Sequence, residues 1–244
     1  MVWPFIIATA AAVLAVWLVP VRVVRRRSLE GIDVPGAVRA YDAMSRTPGF
    51  WLLRQLVLRR LGGWKPEGTL ADVGCGPGYL LRAAAKKFPR LRLVGVDIAE
   101  EALDTARRNL DPARVELLRG GSGSLPLPDG SCDFVVSTFS LHHWSRPGEI
   151  FAEFSRVLRP GGRFLVMDLR RDAPAPVHLF VCLVTAVVVP RELRRIREPV
   201  GSLRASYTAA EAKTLLSETP FEDCGVERGL AWMYLRGRKG GASK

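Results

Sequence analysis

A glycine-rich stretch early in the sequence has the composition of a loop that holds a ligand. Residues 70–80 read LADVGCGPGYL and place Gly74, Gly76 and Gly78 directly after an apolar run. Glycines at a strand-to-helix turn let a ligand approach the backbone amide groups closely. The dinucleotide pattern G-x-G-x-x-G is not met, because Tyr79 takes the place of the last glycine, and the pattern G-x-x-x-x-G-K-[ST] is absent. By itself the spacing indicates a ligand-binding turn and leaves the ligand open.

A carboxylate ends the next apolar run. In LRLVGVDIA, residues 91–99, Asp97 stands where the predicted strand ends. From that position a carboxylate can accept hydrogen bonds from the two hydroxyls of a ribose. The alternative is that Asp97 only caps the helix that begins near Glu100, and the residue alone leaves both interpretations open.

Four motifs, in order, resemble one known family. DVGCGPG begins at Asp72, VGVD ends at Asp97, residues 125–144 read LPLPDGSCDFVVSTFSLHHW, and residues 158–168 read LRPGGRFLVMD. Over about residues 38–238, the chain resembles class I S-adenosyl-L-methionine-dependent methyltransferases. The resemblance is to the branch with a methyltransferase type 11 domain that includes ubiquinone and menaquinone biosynthesis methyltransferases. It implies an enzyme whose cofactor is S-adenosyl-L-methionine.

The family's cofactor contacts carry over position by position. The resemblance implies that the glycine turn contacts the methionine part of the cofactor and that Asp72 lies beneath the turn. It also implies that Asp97 binds the ribose and that Ile98 packs on the adenine face. The implied cofactor-binding residues are Asp72, Gly74, Cys75, Gly76, Gly78, Asp97, Ile98, Gly121, Ser122 and Phe139.

One position departs from the family's pattern. Relatives usually read GDA before LPFPD, and that aspartate reaches the exocyclic amine of adenine, whereas this chain reads RGGSGSLPLPD with Gly121 at that position. Loss of one hydrogen bond to a partly exposed base costs on the order of 1 kcal/mol, so we expect cofactor binding that is weaker but persists. Ser122 is a candidate substitute, and the alternative is a flexible glycine-rich loop without a role in binding.

Three side chains are candidates for the chemistry itself. His142 and His143 follow the fourth predicted strand, at the edge where ligands of open α/β sheets bind, and either imidazole could accept a proton. Tyr41, in AYDAMSR, matches a tyrosine that in the relatives folds over the active site, and the alternative is core packing. Methyl transfer is an in-line displacement from a sulfonium, so positioning and exclusion of water are the main tasks.

No metal site is predicted. The four cysteines, at positions 75, 132, 182 and 224, have neither C-x-x-C spacing nor a pattern typical of zinc.

Alternating apolar and amphipathic runs predict the elements that position these residues. Such alternation is typical of a parallel sheet with helices on both faces. A capping box formed by Thr208 and Glu211 predicts a further helix toward Ser217. Strands are expected near 69–74, 92–97, 115–119, 132–139, 162–169, 224–229 and 231–238, and helices near 79–88, 99–110 and 147–158.

The last two predicted strands have almost no connection between them, so they must be antiparallel. The predicted fold class is therefore α/β, a Rossmann-like, seven-stranded, mostly parallel sheet with a C-terminal antiparallel hairpin, together with an N-terminal transmembrane helix.

The transmembrane helix is predicted from the apolar start of the chain. From Val2 to Val21 there is no charged side chain, and Arg22, Arg25, Arg26 and Arg27 follow. About 20 apolar residues suffice to cross a bilayer, and arginines on one side favour the cytoplasm for that side. We expect a single-pass membrane protein with its catalytic domain on the cytoplasmic side. The alternative is an apolar helix packed on the domain itself.

Three regions follow from these observations. They are a membrane anchor with a basic flank at 1–27, a helical N-terminal cap at 28–66, and a methyltransferase domain at 67–240 with an apolar lid insertion at about 173–200. The insertion contains an apolar run from Val177 to Val189 followed by an arginine cluster. It is expected to admit a lipid-like acceptor from a membrane surface, and the alternative is a buried core helix.

The predicted function is methyl transfer by a membrane-anchored enzyme to a small or lipid-like acceptor, such as a quinone, an isoprenoid or a phospholipid. A net charge of +12 also suits an RNA methyltransferase. That alternative is less favoured, because no N-P-P-Y or D-P-P-Y tetrapeptide follows the fourth strand and no RNA-binding module is evident. A non-catalytic, membrane-tethered cofactor-binding protein is the other alternative. The sequence leaves the acceptor atom and the oligomeric state open.

Overall fold

A computed structural model describes residues 23–26, 36–195 and 198–241. The strands are β1 (Gly68–Val73), β2 (Leu91–Asp97), β3 (Val115–Arg119), β4 (Cys132–Thr138), β5 (Leu158–Leu169), β6 (Phe221–Arg228) and β7 (Trp232–Lys239). The helices are α1 (Ala37–Ser45), α2 (Pro48–Gly62), α3 (Tyr79–Lys87), α4 (Glu100–Asn109), α5 (Pro147–Val157), α6 (Ala175–Val187), α7 (Arg191–Arg195), α8 (Val200–Ala205) and α9 (Ala209–Ser217). A 3₁₀ turn, Leu141–His143, follows β4.

The seven strands form one sheet in the order β3-β2-β1-β4-β5-β7-β6. Strands β1 to β5 pair in parallel, whereas β7 pairs antiparallel with both β5 and β6. This confirms the predicted mostly parallel sheet with a C-terminal antiparallel hairpin. The chain leaves β1 toward β2 on one side and returns to β4 on the other, so a crevice opens at the carboxyl ends of β1 and β4, where ligands of such sheets bind.

Both faces of the sheet are covered, as the alternating pattern predicts. One core lies under α5 and α9, where Phe151, Phe154 and Phe164 are fully buried and their rings are in contact. The other lies under α2, α3 and α4 and includes Leu58 and Leu81. A sheet packed on both sides forms a rigid base for the loops at its carboxyl edge.

The helical cap predicted at 28–66 contains, from Gly36 onward, two helices. Helix α1 ends at Ser45 and α2 begins at Pro48. A proline is well suited to the first position of a helix and forces the preceding residue into an extended conformation, which Thr47 adopts. Residues 28–35 lie outside the described part of the chain.

The predicted capping box is confirmed at the start of α9. The Thr208 hydroxyl accepts a hydrogen bond from the Glu211 main-chain N–H at 3.1 Å, and the Glu211 carboxylate accepts one from the Thr208 N–H at 2.8 Å. The helix ends at Ser217, as expected.

The predicted transmembrane helix and the single-pass membrane localisation are corrected. In the ranges that the structure describes, no helix is long and apolar enough to cross a membrane. The most apolar helix there, α6, has 13 residues, about 20 Å at 1.5 Å per residue, whereas the hydrocarbon core is about 30 Å thick. The stretch from Val2 to Val21, on which the prediction rested, lies outside the described residues. The fold class is therefore the α/β sheet with its helices.

The insertion at about 173–200 forms α6, α7 and the turn into α8. The alternative of a buried core helix does not describe α6, in which Val177 is buried but the other large apolar side chains are not. The exposed apolar side chains of this segment are Leu179, Phe180, Leu183, Val187 and Val188. The end of the segment packs on α1, where Val189 and Leu193 contact Ala37 and Ala40.

Candidate active site

The glycine turn joins β1 to α3 in a conformation that demands glycine. Gly74, Gly76 and Gly78 have φ angles of 75°, 52° and 80°, in the left-handed region. A Cβ on Gly74 would lie 2.6 Å from the Ser140 hydroxyl oxygen, and a Cβ on Gly78 would lie 2.7 Å from a methyl of Leu110. Backbone conformation and close packing together therefore explain why the turn is built from glycines.

Asp97 holds the glycine turn from the end of β2. One carboxylate oxygen accepts the Gly76 N–H at 2.8 Å and the other accepts the Ala99 N–H at 2.9 Å. Ala99, not Asp97, is the N-cap of α4, so Asp97 is not the helix cap that the alternative interpretation proposed. Burial raises the pKa of Asp97, although the N–H groups it accepts oppose that effect. Each oxygen keeps acceptor capacity for a further hydroxyl donor.

Asp72 lies beneath the turn as a buried carboxyl group without a partner. It is 1% exposed, and neither carboxyl oxygen has a hydrogen-bond partner among the residues that the structure describes. Burial, followed by the nearby negative charge of Asp97, raises the pKa of Asp72 to about 8. A buried polar group of this kind requires an explanation, and a cationic group on a bound ligand supplies one.

Tyr41 lies over the glycine turn. Its ring is 3.8 Å from the position that a Cβ on Gly76 would occupy. The ring packs edge-on against Phe50, with 6.1 Å between centroids, and Phe50 is 5.6 Å from Phe139. Burial, followed by Asp97, raises the pKa of Tyr41, so the phenol is neutral. The three rings form an aromatic wall beside the turn.

Phe139 follows β4 with a φ of 56°, which is unfavourable for a residue other than glycine. Its N–H donates to the Met167 carbonyl of β5 at 2.8 Å, and this bond helps to hold the conformation. The structure thus brings together the predicted residues Tyr41, Phe139, Asp97 and the glycine turn.

A clasp that the sequence did not indicate ties α1 to α3. The Tyr79 hydroxyl donates to Asp42 at 2.9 Å and accepts from Arg46 at 2.8 Å, and Arg46 also forms an ion pair with Asp42. Tyr79 is the residue that replaces the last glycine of the dinucleotide pattern. The only signal for this contact was that departure, because its partner lies on a separate helix.

Arg54 is a second residue that the sequence did not indicate. It lies on α2, where its guanidinium donates to the Ser45 carbonyl at 2.7 Å and stacks 5.3 Å from the centre of the Tyr79 ring. Its charge also acts on Tyr41. Partial burial lowers the pKa of Arg54, yet an arginine remains a cation. The guanidinium of Arg54 therefore contacts the Ser45 carbonyl and the Tyr79 ring.

His142 forms a buried pair with Asp168. Its Nδ1 lies 2.8 Å and 3.0 Å from the two Asp168 carboxylate oxygens, and its main-chain N–H donates to the same carboxylate at 2.7 Å. Burial disfavours the charged imidazole, but Asp168 outweighs that effect and raises the pKa of His142. In the sequence Asp168 is the last residue of the motif LRPGGRFLVMD, and no local signal indicates that it contacts His142.

His143 has a different environment. Its ring centroid is 4.0 Å from that of His142, and no hydrogen bond from it to a carboxylate is found in the described ranges. Burial, followed by the neighbouring His142, lowers the pKa of His143 to about 4. The structure therefore separates two histidines that the sequence left equivalent.

The loop at Gly121 lies beside Ile98. Gly121 pairs with Ser124 in an isolated bridge, and a Cβ on Gly121 would meet only a methyl of Ile98, at 3.9 Å. Ile98 is 66% exposed, so its side chain offers a free apolar surface. Ser122 lies in the same turn and is partly exposed. The roles predicted for Ile98, Gly121 and Ser122 remain predictions.

The order of the sheet, the glycine turn after β1 and the acid at the end of β2 are typical of Rossmann-like proteins whose ligands contain a ribose. Comparisons with known proteins identify the family. The description "Methyltransferase domain" matches residues 71–166. The chain is 33% identical over 159 residues to the ubiquinone/menaquinone biosynthesis C-methyltransferase of Syntrophotalea carbinolica, covering 62% of this chain and 65% of that protein.

Two further similarities extend this finding. A 37.1 kDa protein in transposon TN4556 of Streptomyces fradiae is 37% identical over 185 residues, which cover 69% of this chain and 52% of that protein. A solved S-adenosylmethionine-dependent methyltransferase from Aquifex aeolicus has the same fold, with a TM-score of 0.61 at 20% identity over 84% of this chain and 97% of that chain. The chain thus spans between about half and two thirds of the length of these first two curated relatives.

These similarities support a class I S-adenosylmethionine-dependent methyltransferase. This confirms the family resemblance drawn from the sequence, and with it the enzyme class and S-adenosyl-L-methionine as the family's cofactor.

Proposed function

We propose that the protein transfers the methyl group of S-adenosyl-L-methionine to a small, largely apolar acceptor of the quinone or lipid-like kind. The observation that carries the proposal is the pair of acids at the glycine turn. Asp97 accepts hydrogen bonds from two main-chain N–H groups, and Asp72 is buried with no hydrogen-bond partner among the described residues. One acid suits a ribose and the other suits a cation, and S-adenosyl-L-methionine contains both groups.

The residues at the turn fit the cofactor's parts. Asp97 would accept from the ribose hydroxyls, and Asp72 would face the positive charges of the methionine end. Arg54, beside Tyr79, would hold the methionine carboxylate. Ile98 would cover one face of the adenine, and Gly121 supplies no side-chain acceptor. The bound cofactor supplies an electrophilic methyl group on a sulfonium.

The acceptor side is assigned to the aromatic wall. Tyr41, Phe50 and Phe139 border the turn with ring faces and edges, and a neutral phenol adds one polar atom. Such a wall excludes water and orients a flat or apolar molecule, which is the main task in a displacement of this kind. Among the relatives are a demethylmenaquinone methyltransferase and a fatty-acid O-methyltransferase, whose names describe acceptors of this character.

The insertion is the second part of the proposed acceptor site. Its end packs on α1 through Leu193 and Val189, and α1 carries Tyr41. The contact couples the insertion to the residue that lies over the turn. We therefore assign the described parts of the insertion, residues 173–195 and 198–200, to the wall of the acceptor pocket, with α1 as the connecting element.

The first test is binding of the cofactor. Isothermal titration with S-adenosyl-L-methionine should give one site per chain, and Asp97→Asn should weaken it at least tenfold, because an amide cannot accept through both of its heavy atoms. Asp104→Asn, which changes an exposed acid on α4, is the matched control and should bind like the wild type. Failure of the wild type to bind would refute the proposal.

The second test is turnover. The purified protein is incubated with S-adenosyl-L-methionine and separately with demethylmenaquinol, a long-chain fatty acid, arsenite, total lipid extract or total RNA, and S-adenosylhomocysteine is measured. We expect release with the quinol or the lipid extract. Release with RNA alone would favour the nucleic-acid alternative, and binding without any release would favour a non-catalytic protein.

A further inference from the structure

We infer that His142, oriented by Asp168, accepts the proton that leaves the methyl acceptor, and that the acceptor is therefore a molecule with a hydroxyl, N–H or acidic C–H at the reacting atom. The inference rests on the proposed function, since it assigns a role within that reaction. It distinguishes His142 from His143, and it makes Asp168 a positioning residue.

The geometry fixes which nitrogen of His142 is available. A carboxylate only accepts hydrogen bonds, so the proton of the neutral ring is assigned to Nδ1, which faces Asp168 at 2.8 Å. The main-chain N–H of His142 donates to the same carboxylate, and so does the Leu169 N–H, at 2.7 Å each. Three donors thus hold the carboxylate and the ring, and Nε2 carries the free lone pair.

That lone pair is buried and has no partner. Nε2 of His142 has no hydrogen-bond partner within the described ranges, and the residue is 4% exposed. A pair that served only to tie the 3₁₀ turn to β5 needs Nδ1 and the main-chain N–H alone. Leaving an imidazole nitrogen both buried and unsatisfied is unfavourable, which a purely structural role does not explain. A hydroxyl, N–H or C–H of a bound acceptor would supply the missing donor.

The pair lies at the same edge of the sheet as the glycine turn. His142 follows β4 and Asp168 lies at the end of β5, at the carboxyl edge that also carries the glycine turn. Tyr41 experiences the charge of Asp168 as well as those of Asp72 and Asp97. The charge of Asp168 thus reaches the phenol that lies over the glycine turn.

His143 does not fit this role. In the described ranges its ring makes no hydrogen bond to a carboxylate, and burial together with the adjacent His142 outweighs the more distant charge of Asp168 and lowers its pKa to about 4. Such a ring is a weak base at neutral pH. The charged and titratable groups that face His142 come from several elements and include Asp168, His143, Glu198 and Arg25.

Arg25 and Glu198 act on His142 through their charges. Arg25 donates to the Ala205 carbonyl at 2.7 Å and stacks 3.8 Å from the centre of the Tyr207 ring. Its positive charge opposes protonation of His142, whereas Glu198 favours it. The combined effect of burial and these groups is a raised pKa of His142, and Asp168 is the group in hydrogen-bond contact with the ring.

Electron pairs and protons are conserved in the proposed step. The electron pair of the acceptor's X–H bond forms the new X–CH₃ bond, and the pair of the S–CH₃ bond stays on sulfur as S-adenosylhomocysteine is produced. The proton passes to Nε2 of His142, and Asp168 stabilises the resulting imidazolium. The proton then leaves to solvent when the products depart.

Three variants separate this role from a structural one. His142→Asn keeps an amide N–H that can donate to Asp168 but has no Nε2. Asp168→Asn keeps the shape and removes the charge, and His143→Asn is the matched control. We expect His142→Asn to lower kcat about 100-fold or more with KM changed less than about threefold, whereas His143→Asn stays within about threefold of the wild type. An unchanged affinity for S-adenosyl-L-methionine verifies that each variant is folded.

Two further readouts test the pair directly. The rate of the wild type should rise with pH to a plateau, and in Asp168→Asn the inflection should move to lower pH, because the carboxylate raises the pKa of His142. The ¹⁵N spectrum of the three histidines, recorded with S-adenosylhomocysteine bound, should show His142 protonated at Nδ1 and bare at Nε2. A proton on Nε2 would overturn the inference, and so would a His142→Asn variant as active as the wild type.

The acceptor class is tested by the mass of the product. Replacement of a proton by methyl adds one CH₂ and leaves the charge unchanged, as we expect. A permanently charged methyl-onium product would refute the acceptor class. If the wild type binds the cofactor but releases no S-adenosylhomocysteine with any acceptor, the proposed function fails together with this inference. If it turns over and the His142→Asn variant keeps its rate, only the inference fails.

Discussion

Replacing Asp72 by asparagine should make the ligand-free protein more stable in neutral and alkaline solution. Asp72 is fully enclosed beneath the glycine turn, and its oxygens have no hydrogen-bond partner in the described part of the chain. The folded protein therefore favours the protonated carboxyl, and burial raises its pKa to about 8. Asparagine has nearly the same shape and does not titrate, so Asp72→Asn removes the pH-dependent cost and little else.

The sign and size of this stability change follow from the pKa of Asp72 in the unfolded chain and in the folded protein. An aspartate in an unfolded chain has a pKa of roughly 3.9. Between that value and the folded-state pKa of about 8, the folded protein holds a proton that the unfolded chain has lost. The contribution is fully present below about pH 4, and it is lost at about 1.4 kcal/mol per pH unit as the pH rises through the window. Over the whole window the loss is on the order of 5 kcal/mol.

The measurement is the free energy of unfolding in denaturant, taken at several pH values without ligand. The difference between Asp72→Asn and the wild type should be small near pH 4 and should grow with pH up to about 8. The control is Glu218→Gln, which neutralises an exposed acid at the end of α9. Its free energy of unfolding should differ from that of the wild type by the same amount at every pH. A difference between Asp72→Asn and the wild type that is independent of pH would refute the reasoning.

Three other substitutions test separate parts of the site. Gly121→Asp should tighten S-adenosyl-L-methionine binding about fivefold, since one hydrogen bond contributes about 1 kcal/mol, whereas Gly123→Asp, at an open position, should leave titration calorimetry unchanged. Gly78→Ala should lower the free energy of unfolding by about 2 kcal/mol or more, because φ is 80° and Leu110 lies in the way. Thr208→Ala should cost about 1 kcal/mol of stability in the same denaturation assay through loss of the α9 cap.

The regular part of the fold could be predicted because each strand carries its own local signal. Strand β2, predicted at 92–97, is observed at Leu91–Asp97, since its apolar run is bounded by turn residues on both sides. The break between α1 and α2 also has a local signal, Pro48 after Thr47, whereas the prediction of a helical cap at 28–66 gave no number of helices. The predicted transmembrane helix rested on hydropathy and on the arginines that follow the apolar stretch, and neither specifies which structure an apolar segment adopts.

The candidate site divides in the same way. The glycine turn and Asp97 have a local signature, because backbone conformation and the end of a strand restrict the residue type. The clasp between Tyr79 and Asp42, separated by 37 residues, and the pair of His142 with Asp168, separated by 26, depend on how distant elements meet. Neighbouring histidines in one short turn have the same local sequence environment, so only the tertiary structure distinguishes them.

The two acids at the turn favour a cationic ligand over a neutral nucleoside. Asp97 receives two main-chain N–H groups, so its charge is compensated within the protein. Asp72 receives none in the described residues, and the negative charge of Asp97 raises its pKa further. A positively charged ligand compensates both the missing hydrogen-bond donors to Asp72 and the repulsion from Asp97, whereas a neutral nucleoside compensates neither. The stability that the empty site lacks because of Asp72 is therefore regained when a cationic cofactor binds. The Asp72→Asn variant should be more stable without ligand and should bind the cofactor more weakly.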